Sequence, residues 1–386
     1  MRTLYLDYNA TTPLDPAVRA AMLPFLDGIW GNPSSVHHVG RRARAHLDDA
    51  RDRVARAWHC KPSEVVFTSG GTESNNLAVL GAARHLRPRG RHLITSSIEH
   101  HAVLHSFQYL QKHEGFDVTF LPVGTDGVVD PGDLRKSLRP DTTLVSVMAA
   151  NNETGALQPV VELGKICRAR GVLFHTDAVQ SFGKEEFKNI DQFEAGLVSI
   201  CAHKLYGPKG AGALFIKSPL LPDPILFGGG HENERRAGTE NLAGIIGLVE
   251  VIERHLAPPV FEQERLRPMA DRLAAEFSAM EGVCLHGRGG SHLSNTVACT
   301  VEGADSIALL AGLDLAGVCA SSGSACTAGS LEPSHVLLAM GVEKSRANSL
   351  LRFSLGRETT PEDIESLPPI LRSVIDRIRS VSPRPD

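Results

Sequence analysis

An apolar run ends in His175-Thr176-Asp177, and a second, further along, leads into Cys201-Ala202-His203-Lys204. The pattern sets a carboxylate at the end of one buried strand and an amine just past the end of the next. A lysine amine condenses with a carbonyl, and partial burial favours the free base that this chemistry needs. A carboxylate on the neighbouring strand keeps a pyridine nitrogen protonated. Together they suit a pyridoxal phosphate site, where the ring accepts electrons from a breaking bond. Alone, Asp177 would read as a helix N-cap. Lys204 stands apart from the other lysines, which occupy polar helical or loop positions, because it follows an apolar run and precedes Tyr206-Gly207-Pro208.

A second candidate is Ser69-Gly70-Gly71-Thr72-Glu73-Ser74-Asn75-Asn76, between an apolar run and a helical pattern. Glycines let backbone approach an anion, and the first helical N–H groups then point at it. A capping box with Ser69 or Thr72 at the N-cap would use the same residues, and the lysine of a P-loop is missing. Gly207-Pro208-Lys209-Gly210-Ala211-Gly212 precedes the apolar run 213–216, so it reads as a turn into a strand.

These groups need a frame. Apolar runs at 65–68, 92–95, 118–121, 143–147, 172–175 and 197–200 read as buried strands, with helical patterns such as 72–85 and 159–170 between them. Continuous apolar strands separated by helices predict an α/β fold with a mostly parallel central sheet, whose ligands gather at the strand carboxyl ends. After Ala257-Pro258-Pro259 the texture changes to a charged helix over 260–280, a strand over 295–301, a Gly/Ser-rich loop, a helix near 334–340, a strand at 352–355 and an Arg-rich amphipathic helix. The expectation is a large domain over 13–258 and a smaller α+β domain built from 1–12 and 259–386.

The totals agree with a globular enzyme. The chain has 386 residues, 42% hydrophobic and 22% charged, with a net charge of −4 that gives no footprint for nucleic acid. Arg41-Arg42-Ala43-Arg44 reads as a solvated helix face. No apolar stretch is long enough for a membrane span, and the N-terminus lacks a signal-peptide core. Seven cysteines without framework spacing suit a reducing cytoplasm. His37-His38 and His100-His101 are adjacent rather than spaced for one ion, so no metal is expected.

The motifs taken together resemble the cysteine desulfurases of the NifS/IscS type, within the class V aminotransferase-like, fold-type I pyridoxal phosphate enzymes. They run from Leu6-Asp7-Tyr8-Asn9-Ala10-Thr11-Thr12 to Arg352-Phe353-Ser354-Leu355-Gly356-Arg357. Ser321-Ser322-Gly323-Ser324-Ala325-Cys326-Thr327, followed by Leu331-Glu332-Pro333-Ser334-His335, is the most specific. The resemblance implies pyridoxal 5′-phosphate bound covalently at Lys204, with Asp177 at the ring nitrogen and Gln180 and Asn152 at the phenolic oxygen. It further implies His100 stacked on the ring and assisting proton transfer, with His101 an ordinary neighbour. Gly71, Thr72 and His203 would bind the phosphate, joined by Thr239 from the other subunit of a homodimer with shared sites. Arg352 and Asn32 would hold the substrate. Cys201 stands where many relatives have a phosphate-binding serine, and a thiol is the weaker donor.

Cys326 separates this reading from a transaminase. Cys60, Cys167, Cys284, Cys299 and Cys319 fall in or beside apolar patterns and read as inert core residues, whereas the Gly/Ser-rich surroundings of Cys326 predict an exposed, mobile thiol. The implied reaction converts L-cysteine to L-alanine, leaves a persulfide on Cys326 and passes sulfur to an acceptor. That acceptor would be an iron–sulfur scaffold, a tRNA-thiolation protein or a DNA-sulfur-modification protein. Housekeeping members carry a longer C-terminal tail for scaffold docking than follows residues 372–379 here. A selenocysteine lyase or another amino-acid enzyme of this fold, and a non-catalytic sulfur-relay or scaffold subunit, are the alternatives.

Overall fold

The computed structural model describes residues 3–323 and 332–381. Its strands are β1 (Leu4–Tyr5), β2 (Val65–Thr68), β3 (His92–Ser96), β4 (Asp117–Leu121), β5 (Thr142–Ser146), β6 (Leu173–Asp177), β7 (Leu197–Cys201), β8 (Gly212–Ile216), β9 (Val283–His286), β10 (Thr296–Val301), β11 (Val318–Cys319) and β12 (Leu350–Ser354). A seven-stranded sheet has the order β2-β8-β7-β6-β5-β3-β4. Its pairs are parallel except those that β8 makes with β2 and β7. Because β8 alone is reversed, β2 and β7 run the same way, and their carboxyl ends share one edge of the sheet.

Both faces of this sheet are covered, which explains the unbroken apolar runs. Val65, Phe67, Val145, Val198 and Ile200 enter one buried cluster, and Val66, Leu144, Leu197 and Leu214 enter another. Neighbouring residues thus alternate between two cores with the strand period of two. The helix His38–Trp58 closes one side, burying Ala43, Leu47, Ala50, Val54 and Trp58 at helical spacing, while Arg41, Arg42 and Arg44 stay exposed.

A third cluster joins Leu4, Leu6 and Tyr8 to the helix Gln263–Ser278, to β10 and β12, and to the final helix Pro361–Val381. The sheet here is antiparallel, in the order β12-β10-β9, and β1 pairs separately with β11.

Some expected elements have different limits. The helix anticipated over 260–280 spans Gln263–Ser278, its start set back behind Pro258-Pro259. The pattern at 72–85 is one continuous helical path whose middle, Leu77–Gly81, widens into a π-helix between the α-helices Gly71–Asn76 and Ala82–Leu86. Its N-cap is Gly70, with no side-chain cap, so neither Ser69 nor Thr72 serves as the capping residue.

Candidate active site

The carboxyl ends of the parallel strands and the N-terminal segment enclose a cleft of about 190 Å³. It draws Asp177 from the end of β6, Cys201, His203 and Lys204 from the end of β7, and Gly71 and Thr72 from the turn after β2. His100 follows β3, Asn152 follows β5, and Arg352 reaches in from β12. The edge where strands end is thus also where the chemistry-bearing side chains collect.

Asp177 is buried, and both its hydrogen bonds come from neutral groups. Asn75 Nδ2 donates to Oδ2 at 2.6 Å and the Val179 amide to Oδ1 at 3.0 Å. Burial pushes its pKa up, while the two donors and the charge of Lys204 pull it down. Asn75 Oδ1 is itself buried without a hydrogen-bond partner among the described residues. A cationic ring N–H in the cleft would meet a carboxylate not yet matched by a hydrogen-bonded cation.

Lys204 Nζ donates to the backbone carbonyls of Asn9 at 2.5 Å and Ala10 at 2.7 Å. Its backbone is held by the same N-terminal segment. Thr12 donates through both N and Oγ1 to His203 O, at 3.0 and 2.9 Å, and Tyr206 N donates to Thr12 Oγ1 at 2.7 Å. Tyr206 adopts left-handed backbone, φ 64, which costs a non-glycine residue of order 1 kcal/mol. The turn is kept because Tyr206 is fully buried and its hydroxyl accepts from Arg357 N at 2.6 Å.

The Gly70-Gly71 turn is built for close approach. Gly70 has φ 150, and a Cβ on Gly71 would meet Val179 Cγ2 at 2.8 Å. The start of the helical path therefore lies against the turn that carries Asp177. Cys201 is buried beside it, and burial pushes its thiol up to about 11, so it remains protonated. His203, half-buried, is pushed down to about 4 by desolvation and then by the charge of Lys204.

His100 caps the helix His101–His113, its Nδ1 accepting from Ala102 N at 3.1 Å. Burial first, and the charge of Lys204 second, push its pKa down to about 4. It is therefore neutral at physiological pH, and with Nδ1 accepting, the proton sits on Nε2. His101 stacks between His105 and His335 at 4.7 Å from each. Among the described residues, no group of three or more His, Cys, Asp or Glu is arranged to hold a metal ion.

Arg352 is 1% exposed. Nη1 donates to Asn152 O and Nη2 to Asp7 Oδ1, both at 2.8 Å, while buried Nε has no hydrogen-bond partner among the described residues. The expected substrate-side arginine is therefore already committed to a protein carboxylate along part of its fork.

Ten of the thirteen anticipated residues line this cleft: Gly71, Thr72, His100, Asn152, Asp177, Gln180, Cys201, His203, Lys204 and Arg352. Asn32 does not. It is exposed, and its Oδ1 accepts from Ser34 N at 2.9 Å in a local turn. Thr239 is exposed away from the cleft, and Cys326 lies outside the described residues. Sequence reasoning missed Asn9, Asn75 and Lys184. Asn9 and Asn75 sat inside quoted motifs as polar residues of no assigned use, and Lys184, four residues after Gln180, was grouped with the lysines of polar helical or loop positions.

A buried carboxylate, a lysine amine and a glycine-opened helix, set on a sheet of this topology, define a fold-type I pyridoxal phosphate enzyme. The model of the aminotransferase class V family matches residues 4–367. A protein described as cysteine desulfurase IscS from Dictyoglomus turgidum is 46% identical over 383 residues, covering 99% of this chain and 97% of that one. A solved structure described as a NifS-like protein aligns with a TM-score of 0.89 at 33% identity, over 98% of this chain and 100% of the other. Another, described as SspA in complex with cysteine, aligns at 0.79 and 34% identity over 93% and 100%. The chain belongs to the class V aminotransferase family, among the cysteine desulfurases of the NifS/IscS type.

The residues present fit pyridoxal 5′-phosphate. Asp177 lacks a hydrogen-bonded cation, Asn75 Oδ1 is unsatisfied among the described residues, and Gly71 lines the cleft at the start of a helix with no side chain of its own. Among the described residues no helix is long and apolar enough to cross a membrane.

Proposed function

We propose that this chain takes sulfur from L-cysteine, releases L-alanine and delivers the sulfur through Cys326. The buried Asp177 facing Lys204 across one cleft carries the reading, because it joins an electron-sink site to a family whose members are cysteine desulfurases.

When bound, pyridoxal 5′-phosphate supplies an electron sink for the pair left at cysteine Cα. Lys204 would hold the cofactor covalently, and once the cysteine amine displaces it, its free Nζ would take the Cα proton. Asp177 keeps a negative charge against the ring nitrogen. Gly71, Thr72, His203 and Cys201 hold the phosphate, while Gln180 and Asn152 address the phenolic oxygen. Neutral His100 would lie against the ring without charge repulsion and would offer its Nε2 proton.

Arg352 receives the substrate carboxylate. The buried Nε–H and one Nη2 proton lie on the side-on edge of its fork, which suits a second carboxylate beside Asp7. The Cys326 thiolate then attacks the substrate sulfur. A sulfur–sulfur bond forms, the carbon–sulfur bond breaks, and the carbon skeleton gains protons and leaves as alanine.

The same reading treats 13–258 as a cofactor-binding domain and 1–12 with 259–386 as a smaller one, supported by the separate apolar clusters. It also pairs two chains, so that exposed Thr239 serves the phosphate of the other subunit. The acceptor is a sulfur-handling protein for iron–sulfur assembly or for thiolation of tRNA or DNA, and the setting is the cytoplasm. Borohydride reduction followed by peptide mass mapping tests the site. Cofactor fixed at Lys204 supports it, and fixation elsewhere or none overturns it.

A further inference from the structure

Lys184 has no part in the scheme above, yet it is 1% exposed and bonded to Gln180 and Asn9, two residues that line the cleft. Its Nζ donates to Gln180 Oε1 and to Asn9 Oδ1, each at 2.6 Å, and lies 5.1 Å from the centre of the Phe261 ring. Both acceptors are neutral amide oxygens. Burial, then the charges of Lys204 and Arg352, push its pKa well down, so the amine is kept there against an opposing field.

The lysine head donates to both oxygens, so each amide oxygen turns toward it and each amide nitrogen away. Gln180 Nε2 accordingly donates to Asn9 O at 2.9 Å. Asn9 Nδ2 accordingly donates to Thr296 Oγ1 at 2.9 Å. A flipped Gln180 would lose both its bond from Lys184 Nζ and its own donation to Asn9 O. The Asn9 carbonyl that receives Gln180 is also the one that receives Lys204. One small network therefore links Lys184, Gln180, Asn9 and Lys204.

We infer that Lys184 is a positioning residue that locks the Gln180 amide, and so presents its N–H to the phenolic oxygen of the cofactor. The inference rests on the site assignment proposed for Gln180. In this role the lysine touches neither substrate nor cofactor.

The test titrates the cofactor-free full chain with pyridoxal 5′-phosphate, using wild type, Lys184→Met, Gln180→Leu and the double variant. Lys184→Met keeps the apolar stem and removes the donor. It should weaken cofactor binding about fivefold, the loss of one neutral hydrogen bond. The visible absorbance band should change as it does in Gln180→Leu, and the double variant should bind no worse than the weaker single variant. Wild-type affinity and absorbance in Lys184→Met, or losses that multiply in the double variant, would overturn the inference. Should Lys184→Met not fold, Lys184→Gln is judged by the same criteria. Failure of wild type to take up cofactor would overturn the site assignment itself, whereas normal uptake with an indifferent Lys184→Met overturns only the role of Lys184.

Discussion

Lys204 Nζ lies 2.5 Å from the carbonyl oxygen of Asn9, a residue of the N-terminal segment that packs with the C-terminal apolar cluster. The reactive amine, carried on the central sheet, is thus solvated by backbone from the other end of the chain's path. Two backbone carbonyls hold the amine on the cleft side.

Asp177→Asn separates the demands of catalysis from those of folding. The amide keeps an acceptor for Val179 N but loses the charge opposite the ring nitrogen. Alanine formation from cysteine should fall by about a hundredfold or more. The cofactor-free protein should resist urea at least as well as wild type, because a buried carboxylate is gone. Steady-state rates and urea midpoints read the two effects.

Restoring the hydroxyl with Cys201→Ser should tighten cofactor binding. A serine donor in place of a protonated thiol adds about 0.5–1.5 kcal/mol, roughly a twofold to tenfold lower dissociation constant. Equilibrium dialysis measures it, and unchanged affinity would place Cys201 away from the phosphate.

Glu99 gives a pH prediction. Its Oε1 accepts from Ser96 Oγ at 2.5 Å and Met148 N at 3.0 Å, and burial pushes its pKa up to about 8. A carboxyl whose folded pKa is raised stabilises the fold below its unfolded value and loses that contribution as pH rises toward 8. Each pH unit in this window costs wild type about 1.4 kcal/mol from this group. Glu99→Gln escapes the cost. Urea unfolding should show the variant gaining on wild type from pH 5 to pH 8, and a constant difference would show that Glu99 titrates normally.

Arg352→Lys keeps the charge and loses the fork. The cysteine KM should rise roughly tenfold to a hundredfold, the value of one hydrogen bond to a charged group, with a smaller change in kcat. A kcat loss at unchanged KM would instead assign Arg352 to holding Asp7 and Asn152 in place.

The central frame was legible because β3, β5, β6 and β7 are buried on both faces and read as unbroken apolar runs. Asp177 and Lys204 stood out by ending two such runs. By contrast β1 and β11, two residues each, carry no periodicity, and their pairing depends on contacts across the whole chain. Asn75 escaped notice because its use is a hydrogen bond to Asp177, 102 positions away. Lys184 looked like one more lysine in a polar helical or loop position, since nothing local announces that it packs on Phe261 and bonds Asn9. The capping box failed because the N-cap is Gly70, which has no side chain to accept from the first helical N–H groups. Arg352 was found by its place in a motif, but its pairing with Asp7 was not.

The central claim is that sulfur leaves cysteine by way of Cys326. Incubating cofactor-loaded protein with L-cysteine, and measuring both alanine and the mass of the peptide containing Cys326, tests it directly. Wild type should release alanine and gain one sulfur atom on that peptide, and Cys326→Ser should do neither while still binding cofactor. Alanine formed by Cys326→Ser at the wild-type rate would contradict the account.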